Sequence, residues 1–474
     1  MTSESTPWFE NVPLDDLPAE LERPVGAEHE LAELYARLAS QAPPSGRFAR
    51  FWSLSSLPAK LAAAYGLGWV RAHFAPREER ERVRAETHWR AALHALGTMG
   101  YLRGAVAKAG QVLASYPDVL PAQVLELFAR LHFEAPPMHL ALLAESLQSE
   151  LGGELEQLFA SFEPTAFAAA SIGQVHRARL ADGSAVAVKV QYPGMARAVR
   201  ADFENLRLLL LPLCLGANWQ NLMDQLAEAC RMLEQETDYL REALWTERVH
   251  GELADLADVC VPRVFPQRSS ARVLTTELLS GRHLAEYRAT QPPQAERDRH
   301  GAALLRACMR LWCGRRLFNC DPGPGNFLFL DDGRLGLLDF GAMREFDARE
   351  WELMLLGVRA QREGGAAQAE SIRRSGLADD LAPDSESFRV RSATCDWLWE
   401  PMRRPGPFDF GADEYMARGV RLFGRALRSG DTRQAPVFLW CLRQFYGVRA
   451  LLWGLGARVD FHAIAAEEYA RAGL

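Results

Sequence analysis

Asp321 and Asp339 bracket a short stretch whose residue types could do phosphate chemistry. The first opens Asp321-Pro322-Gly323-Pro324-Gly325-Asn326, and the second opens Asp339-Phe340-Gly341. Between them lie an apolar run at 327–330, the turn tripeptide Asp331-Asp332-Gly333 and a second apolar run at 335–338. Together they read as a β-hairpin with a carboxylate at each mouth. Phosphoryl transfer needs this inventory: one carboxylate to orient the attacking group, and an Asn with a second carboxylate to hold magnesium against the phosphates. Asp321 is read as the first, and Asn326 with Asp339 as the magnesium ligands. Taken singly, Asp-Pro-Gly and Asp-Gly segments are turn chemistry; their order and spacing carry the reading.

Such a site needs a cation on a strand. The segment 168–180 runs through Asp182-Gly183 into Ala185-Val186-Ala187-Val188-Lys189-Val190, and Asp-Gly between alternating runs predicts a hairpin. Side chains alternate along a strand, so Lys189 shares a face with Ala187 and Ala185, while the valines face the other way. That leaves a small-residue floor for an adenine ring with an ammonium reaching the phosphates. Ala168, Ala169, Ala170, Ser171 and Gly173 occupy the place of a phosphate-covering loop. Lys189 is otherwise an exposed strand lysine, a reading its flanking valines oppose.

Residues 224–249 form one long helical pattern carrying Glu236, Asp238 and Glu242. At about 100° per residue Asp238 and Glu242 share a face. Glu242 is assigned as the partner of Lys189. Strand patterns at 261–265 and 271–277 lead to a hinge around Glu277, whose backbone would meet adenine. His283 and His300 have no partner spacing and are read as structural. Lys108-Ala109-Gly110-Gln111 closes an earlier helix; on its residues alone it is a solvated lysine beside a helix-loosening glycine.

Composition narrows the class. The chain has 474 residues and a net charge of −7, and its 54 basic residues are dispersed, which argues against nucleic-acid binding. Its 8 cysteines form no Cys-x-x-Cys pair, so they read as buried thiols in a reducing compartment. The start lacks a secretory pattern, and the most apolar stretches, 54–74 and 206–215, read as buried helices. Further helices are expected at 28–81, 82–114, 122–133, 140–159, 302–316, 351–362, 415–428 and 437–455. Everything past 346 reads as helical, with a Pro-rich loop at 401–407.

The motifs at 108–111, 168–176, 186–189, 236–238, 321–326 and 339–341 together resemble the UbiB family of ABC1/ADCK-type atypical kinases. The resemblance covers roughly residues 85–350. It implies an α+β, bilobal protein-kinase-like fold with a small β-rich N-lobe, a helical C-lobe and an N-terminal helical extension. The corresponding division is a flexible lead-in at 1–27, the extension at 28–160, the N-lobe at 161–280 and the C-lobe with additional helices at 281–474. An alanine-rich loop at 168–171 would replace the usual glycine-rich one. Lys108, Gly110 and Gln111 would fold over the site, with Lys108 meeting Glu236 or Asp238, and so exclude protein substrates. ATP and Mg2+ are the implied cofactors. The implied activity is ATP hydrolysis or phosphoryl transfer to a small or lipid-like acceptor in ubiquinone or isoprenoid-lipid metabolism. The alternative is a pseudokinase that binds nucleotide and chaperones a lipid or complex. Partners would be nucleotide, a small phenolic or lipid ligand and a peripheral membrane surface, in a cytoplasmic setting at the inner face of a membrane. Two departures stand out: Asn319 and Gly323 occupy positions where relatives often carry His.

Overall fold

The computed structural model describes residues 140–170, 172–193, 219–376, 381–428 and 435–474, with positions 195, 199 and 203. The lead-in, most of the expected extension, and Lys108, Gly110, Gln111 and Ser171 lie outside the described residues.

Alternation builds the first lobe. A small helix pair, α1 (Leu140–Leu151) and α2 (Leu155–Leu158), backs a five-stranded sheet of β1 (Ser161–Phe162), β2 (Ala168–Ala170), β3 (Gly173–Arg179), β4 (Ala185–Gln191) and β6 (Val273–Glu277). Val186, Val188 and Val190 of β4 are buried against Leu143, Leu147 and Phe159, whereas Ala185, Ala187 and Lys189 stay half-buried on the opposite face. The Asp182-Gly183 turn closes β3 onto β4, with Gly183 at φ 87° and Ser184 N–H donating to Asp182 Oδ1.

The long helical pattern at 224–249 is two helices, α3 (Trp219–Glu236) and α4 (Tyr239–Glu252). The break falls at Thr237-Asp238 because the Asp238 carboxylate accepts the N–H groups of Leu240 and Arg241, which makes it the cap that starts α4. Asp238 therefore sits at a helix entry and not on a helical face with Glu242.

The strand expected at 261–265 also moves. The strand is β5 (Val259–Cys260), and Pro262, lacking an N–H, cannot continue a ladder. The 261–265 segment instead meets β6 at an isolated bridge, Val264 to Thr276. β5 runs parallel to β10 (Leu335–Leu337), which pairs antiparallel with β9 (Phe327–Leu330), and β9 pairs with β7 (Gly281–Arg282). The hairpin read between Asp321 and Asp339 is thus present in the second sheet.

Helices then dominate. α5 (Leu284–Ala289) starts at His283, and α6 (Gln294–Met309) follows Pro293 and runs into a π-helical turn at Arg310–Gly314, so it begins eight residues before the expected 302. Two-stranded pairs join β8 (Leu317–Asn319) to β11 (Met343–Glu345) and β12 (Phe408–Asp409) to β13 (Arg458–Val459), so the region past 346 is not wholly helical. After α7 (Ala348–Glu363) and α8 (Gly365–Ser375), α9 (Glu386–Arg403) carries Pro401 inside its last turn, where a loop is expected. Proline cannot donate to the carbonyl of residue 397; Tyr415 Oη donates to it at 3.2 Å, and Arg449 donates to the next carbonyl, of Leu398. α10 (Asp413–Arg428), α11 (Pro436–Leu455) and α12 (Phe461–Ala472) complete a core around Leu304, Phe329, Trp397, Tyr415 and Leu452. His300 is buried edge-on to Tyr287 and Phe329, a packing role. The α+β, two-lobed expectation holds. Among the described residues no helix is long and apolar enough to cross a membrane.

Candidate active site

β4 aims Lys189 away from the valine face, and the first turn of α4 brings Glu242 to meet it. Lys189 Nζ donates to Glu242 Oε1 at 2.8 Å and Oε2 at 2.9 Å, and to Asp339 Oδ2 at 3.3 Å. Three residues separated by 53 and 150 positions thus share one ammonium. The Tyr239 ring lies beneath it, 4.9 Å from Nζ to the centroid. Glu242 is 3% exposed and Lys189 15%, so water screens this cluster little. Burial favours loss of the Lys189 charge, but Asp339 and Glu242 outweigh it and hold the pKa well above the usual lysine range. Burial pushes Glu242 up to about 7 against the pull of Lys189. The ammonium 2.8 Å away opposes that rise by favouring the ionised carboxylate.

Asp339 leaves β10 in a tight turn in which Gly341 N–H donates to Oδ1 at 2.9 Å. Arg241, one residue before Glu242, donates to the carbonyls of Gly341 at 3.2 Å and Met343 at 3.0 Å. Helix α4 therefore holds both the partner of Lys189 and the segment after Asp339.

The loop carrying Asp321 is tied across the same end of the hairpin. Asn319 Nδ2 donates to the Asp339 carbonyl at 3.0 Å, and its Oδ1 accepts Asp321 N–H at 2.9 Å. Asn326 Nδ2 donates to the Asp321 carbonyl at 2.9 Å, while its own carbonyl accepts Leu338 N–H at 3.0 Å. Asn326 and Asp339 thus flank the open end of one strand pair. Gly323, the second departure, has ordinary backbone geometry at φ −64°.

Other expected positions have different settings. Ala168–Ala170 form a strand whose register pairs Ala170 with Gly173, so this segment is half of a hairpin, with Ser171 outside the described residues. Gly173 is required by close approach: a Cβ there would lie 2.3 Å from the Val190 carbonyl oxygen. The Glu277 N–H is taken by the Arg263 carbonyl at 2.8 Å, so it is not offered to a ligand. Glu236 is buried at the end of α3.

Four residues of this cluster escape sequence reasoning: Tyr239, Arg241, Asn319 as a bridge, and Arg443. Arg443 of α11 donates to Asp321 Oδ1 at 2.8 Å. Its signal in the sequence is a charge inside the apolar run 437–455.

A family model described as the ABC1 atypical kinase-like domain matches residues 130–360. Residues 130–360 thus carry an ABC1 atypical kinase-like domain of the UbiB type. The Caenorhabditis elegans protein named atypical kinase coq-8, mitochondrial, is 34% identical over 57% of this chain and 36% of its own length. The Rattus norvegicus atypical kinase COQ8B, mitochondrial, is 32% identical over 68% of this chain and 61% of its own length. The Schizosaccharomyces pombe atypical kinase COQ8, mitochondrial, is 32% identical over 80% and 62%. The chain therefore spans between 36% and 62% of these ABC1 relatives. The solved structure of Mycobacterium tuberculosis Rv3197 in complex with erythromycin superposes with a TM-score of 0.55 at 28% identity, over 82% of this chain and 98% of that one. The kinase-like fold and the ABC1 motifs thus coincide.

Proposed function

We propose that this ABC1 protein binds Mg-ATP and either hydrolyses it or passes its γ-phosphoryl group to a small or lipid-like acceptor. The observation that carries this is the Lys189 ammonium held jointly by Glu242 and Asp339 at 2.8 and 3.3 Å. That cluster joins a cation to two carboxylates from three separate elements, the arrangement by which kinases grip phosphates next to a metal-binding aspartate.

In this reading Lys189, fixed by Glu242, binds the α- and β-phosphates, and Ala185 and Ala187 floor the adenine. Ala168, Ala169, Ala170 and Ser171 cover the phosphates, with Gly173 allowing their strand to lie close. Because the Glu277 N–H is engaged by Arg263, adenine contacts fall to backbone groups beyond it. Asn326 and Asp339 offer an amide oxygen and a carboxylate on one hairpin end, the hard oxygen donors that suit magnesium. Magnesium, when bound, draws off phosphate charge and so eases attack at phosphorus. Asp321 orients the attacking oxygen and takes its proton as the new P–O bond forms and the bond to the bridging oxygen of ADP breaks. Lys108, with Gly110 and Gln111, closes over the site; Asp238 already caps α4, which favours Glu236 as its partner. The COQ8 names of the relatives fit a role in ubiquinone biosynthesis; a phenolic or lipid acceptor met at a membrane surface belongs to the same proposal.

Asp339→Asn tests it: magnesium-dependent ATP turnover should disappear while cooperative melting remains. Turnover at the unsubstituted rate would remove the proposal. A second reading, nucleotide binding without transfer, draws on the loop around Asp321, which carries no cation of its own. It predicts a melting shift with Mg-ATP and no hydrolysis.

A further inference from the structure

From Asn319 to Phe327 the loop reads Asn-Cys-Asp-Pro-Gly-Pro-Gly-Asn-Phe, without a basic residue. A cation reaches Asp321 from 122 residues away, as Arg443 of α11 at 2.8 Å from Oδ1. The arginine side chain is 18% exposed and the aspartate 23%, so the pair is largely withdrawn from water. Desolvating both charges is costly and is offset only where the geometry is good and maintained.

The helix is seated to maintain it. Gly447 lies one turn beyond Arg443 on the same face, and a Cβ there would fall 2.3 Å from Pro322 Cγ. The α11 backbone therefore rests directly on the residue after Asp321, at a spacing only glycine permits. On the preceding turn Trp440 Nε1 donates to Glu228 of α3 at 3.1 Å, which anchors α11 away from the loop. Arg443 keeps its charge: burial opposes it, but the Asp321 carboxylate more than compensates and raises its pKa.

We infer that Arg443 is a positioning residue for Asp321, fixing the rotation of its carboxylate toward the attacking oxygen and supplying the positive charge that the loop itself lacks. The inference rests on the reading of Asp321 as the group that orients the attacking oxygen. A carboxylate held by a guanidinium from a second element cannot swing to meet solvent, so the attacking group is presented in one direction.

The test measures ATP turnover with magnesium across a range of ATP concentrations for the full chain and for Arg443→Gln, Arg443→Lys and Asp321→Asn. Melting with and without Mg-ATP accompanies each. Arg443→Gln should lower kcat by about tenfold or more, the scale of a misplaced catalytic group. KM for ATP and the Mg-ATP melting shift should stay within about twofold, because Lys189 and Glu242 are untouched. Arg443→Lys keeps the charge and should recover part of kcat, a rescue that loss of packing alone would not give. If Arg443→Gln does not melt cooperatively, Arg443→Lys decides: a lowered kcat at unchanged KM supports the inference, and an unchanged kcat overturns it. Turnover of Arg443→Gln at the unsubstituted rate, beside an inactive Asp321→Asn, overturns the inference alone; faster turnover does too, and marks the ion pair as an inhibitory latch. An active Asp321→Asn instead removes the reading of Asp321 on which it rests.

Discussion

Lys189 keeps its charge in a buried place because two carboxylates face it, and the same balance of burial against partners governs two buried histidines. His176 is fully buried, stacks on Phe162 at 5.0 Å and donates from Nδ1 to the Glu163 carbonyl at 2.8 Å. Burial lowers its pKa below the ordinary histidine value of 6.5, with the Glu163 bond opposing. His300 is lowered too, by burial and by Arg299, with Glu296 opposing. A histidine whose folded pKa lies below its unfolded one leaves stability intact above pH 6.5 and lowers it as pH falls through the folded value. The melting temperature should therefore drop as pH falls below about 6.5, and His176→Asn, which retains an N–H donor, should flatten that slope. An equally steep slope in the variant would discharge His176 from the effect. Asn319 shows how a departure can be absorbed: its amide spans the Asp339 carbonyl and the Asp321 N–H, so it holds two site segments together with no charge.

At the scale of elements, β3 meets β4 at Gly173 with no room for a side chain. Gly173 pairs with Gln191, and a methyl group there would fall 2.3 Å from the Val190 carbonyl oxygen. Gly173→Ala should destabilise the chain by about 1–3 kcal/mol, the range for overpacking, because the obstacle is backbone and cannot rotate away. Chemical denaturation with an unchanged midpoint would contradict this. The two helices α3 and α4 show what pattern reading loses: apolar periodicity runs through Thr237-Asp238, but a capping carboxylate outcompetes helix continuation. α9 shows the reverse, since Pro401 signals an end, yet Tyr415 satisfies the Trp397 carbonyl that the proline orphans and Arg449 binds the neighbouring Leu398 carbonyl.

Across the whole molecule, Lys189 belongs to the first sheet and Asp339 to the end of the second, so one ammonium bridges the lobes. A ligand that binds there touches both, and binding only the folded state stabilises by mass action. At a concentration 100 times its Kd, Mg-ATP should add about 2.7 kcal/mol. Lys189→Met should abolish most of that shift in a melting experiment. A shift of full size in the variant would place the nucleotide elsewhere.

Local chemistry made much of this legible in the residues themselves. The 327–337 hairpin follows from a turn tripeptide between apolar runs, and the outward face of Lys189 from alternation with valine. These depend on neighbours a few positions apart, which is the range over which backbone preference acts. Pairings across long separations depend instead on how helices dock. Glu242 was reachable because a buried strand lysine demands a carboxylate and α4 offers one. Arg443 was not, because an arginine in an apolar helix reads equally as a solvated edge until α11 is laid on Pro322. Only the tertiary structure decided which charge stands beside Asp321, since 122 residues of chain leave that choice to packing.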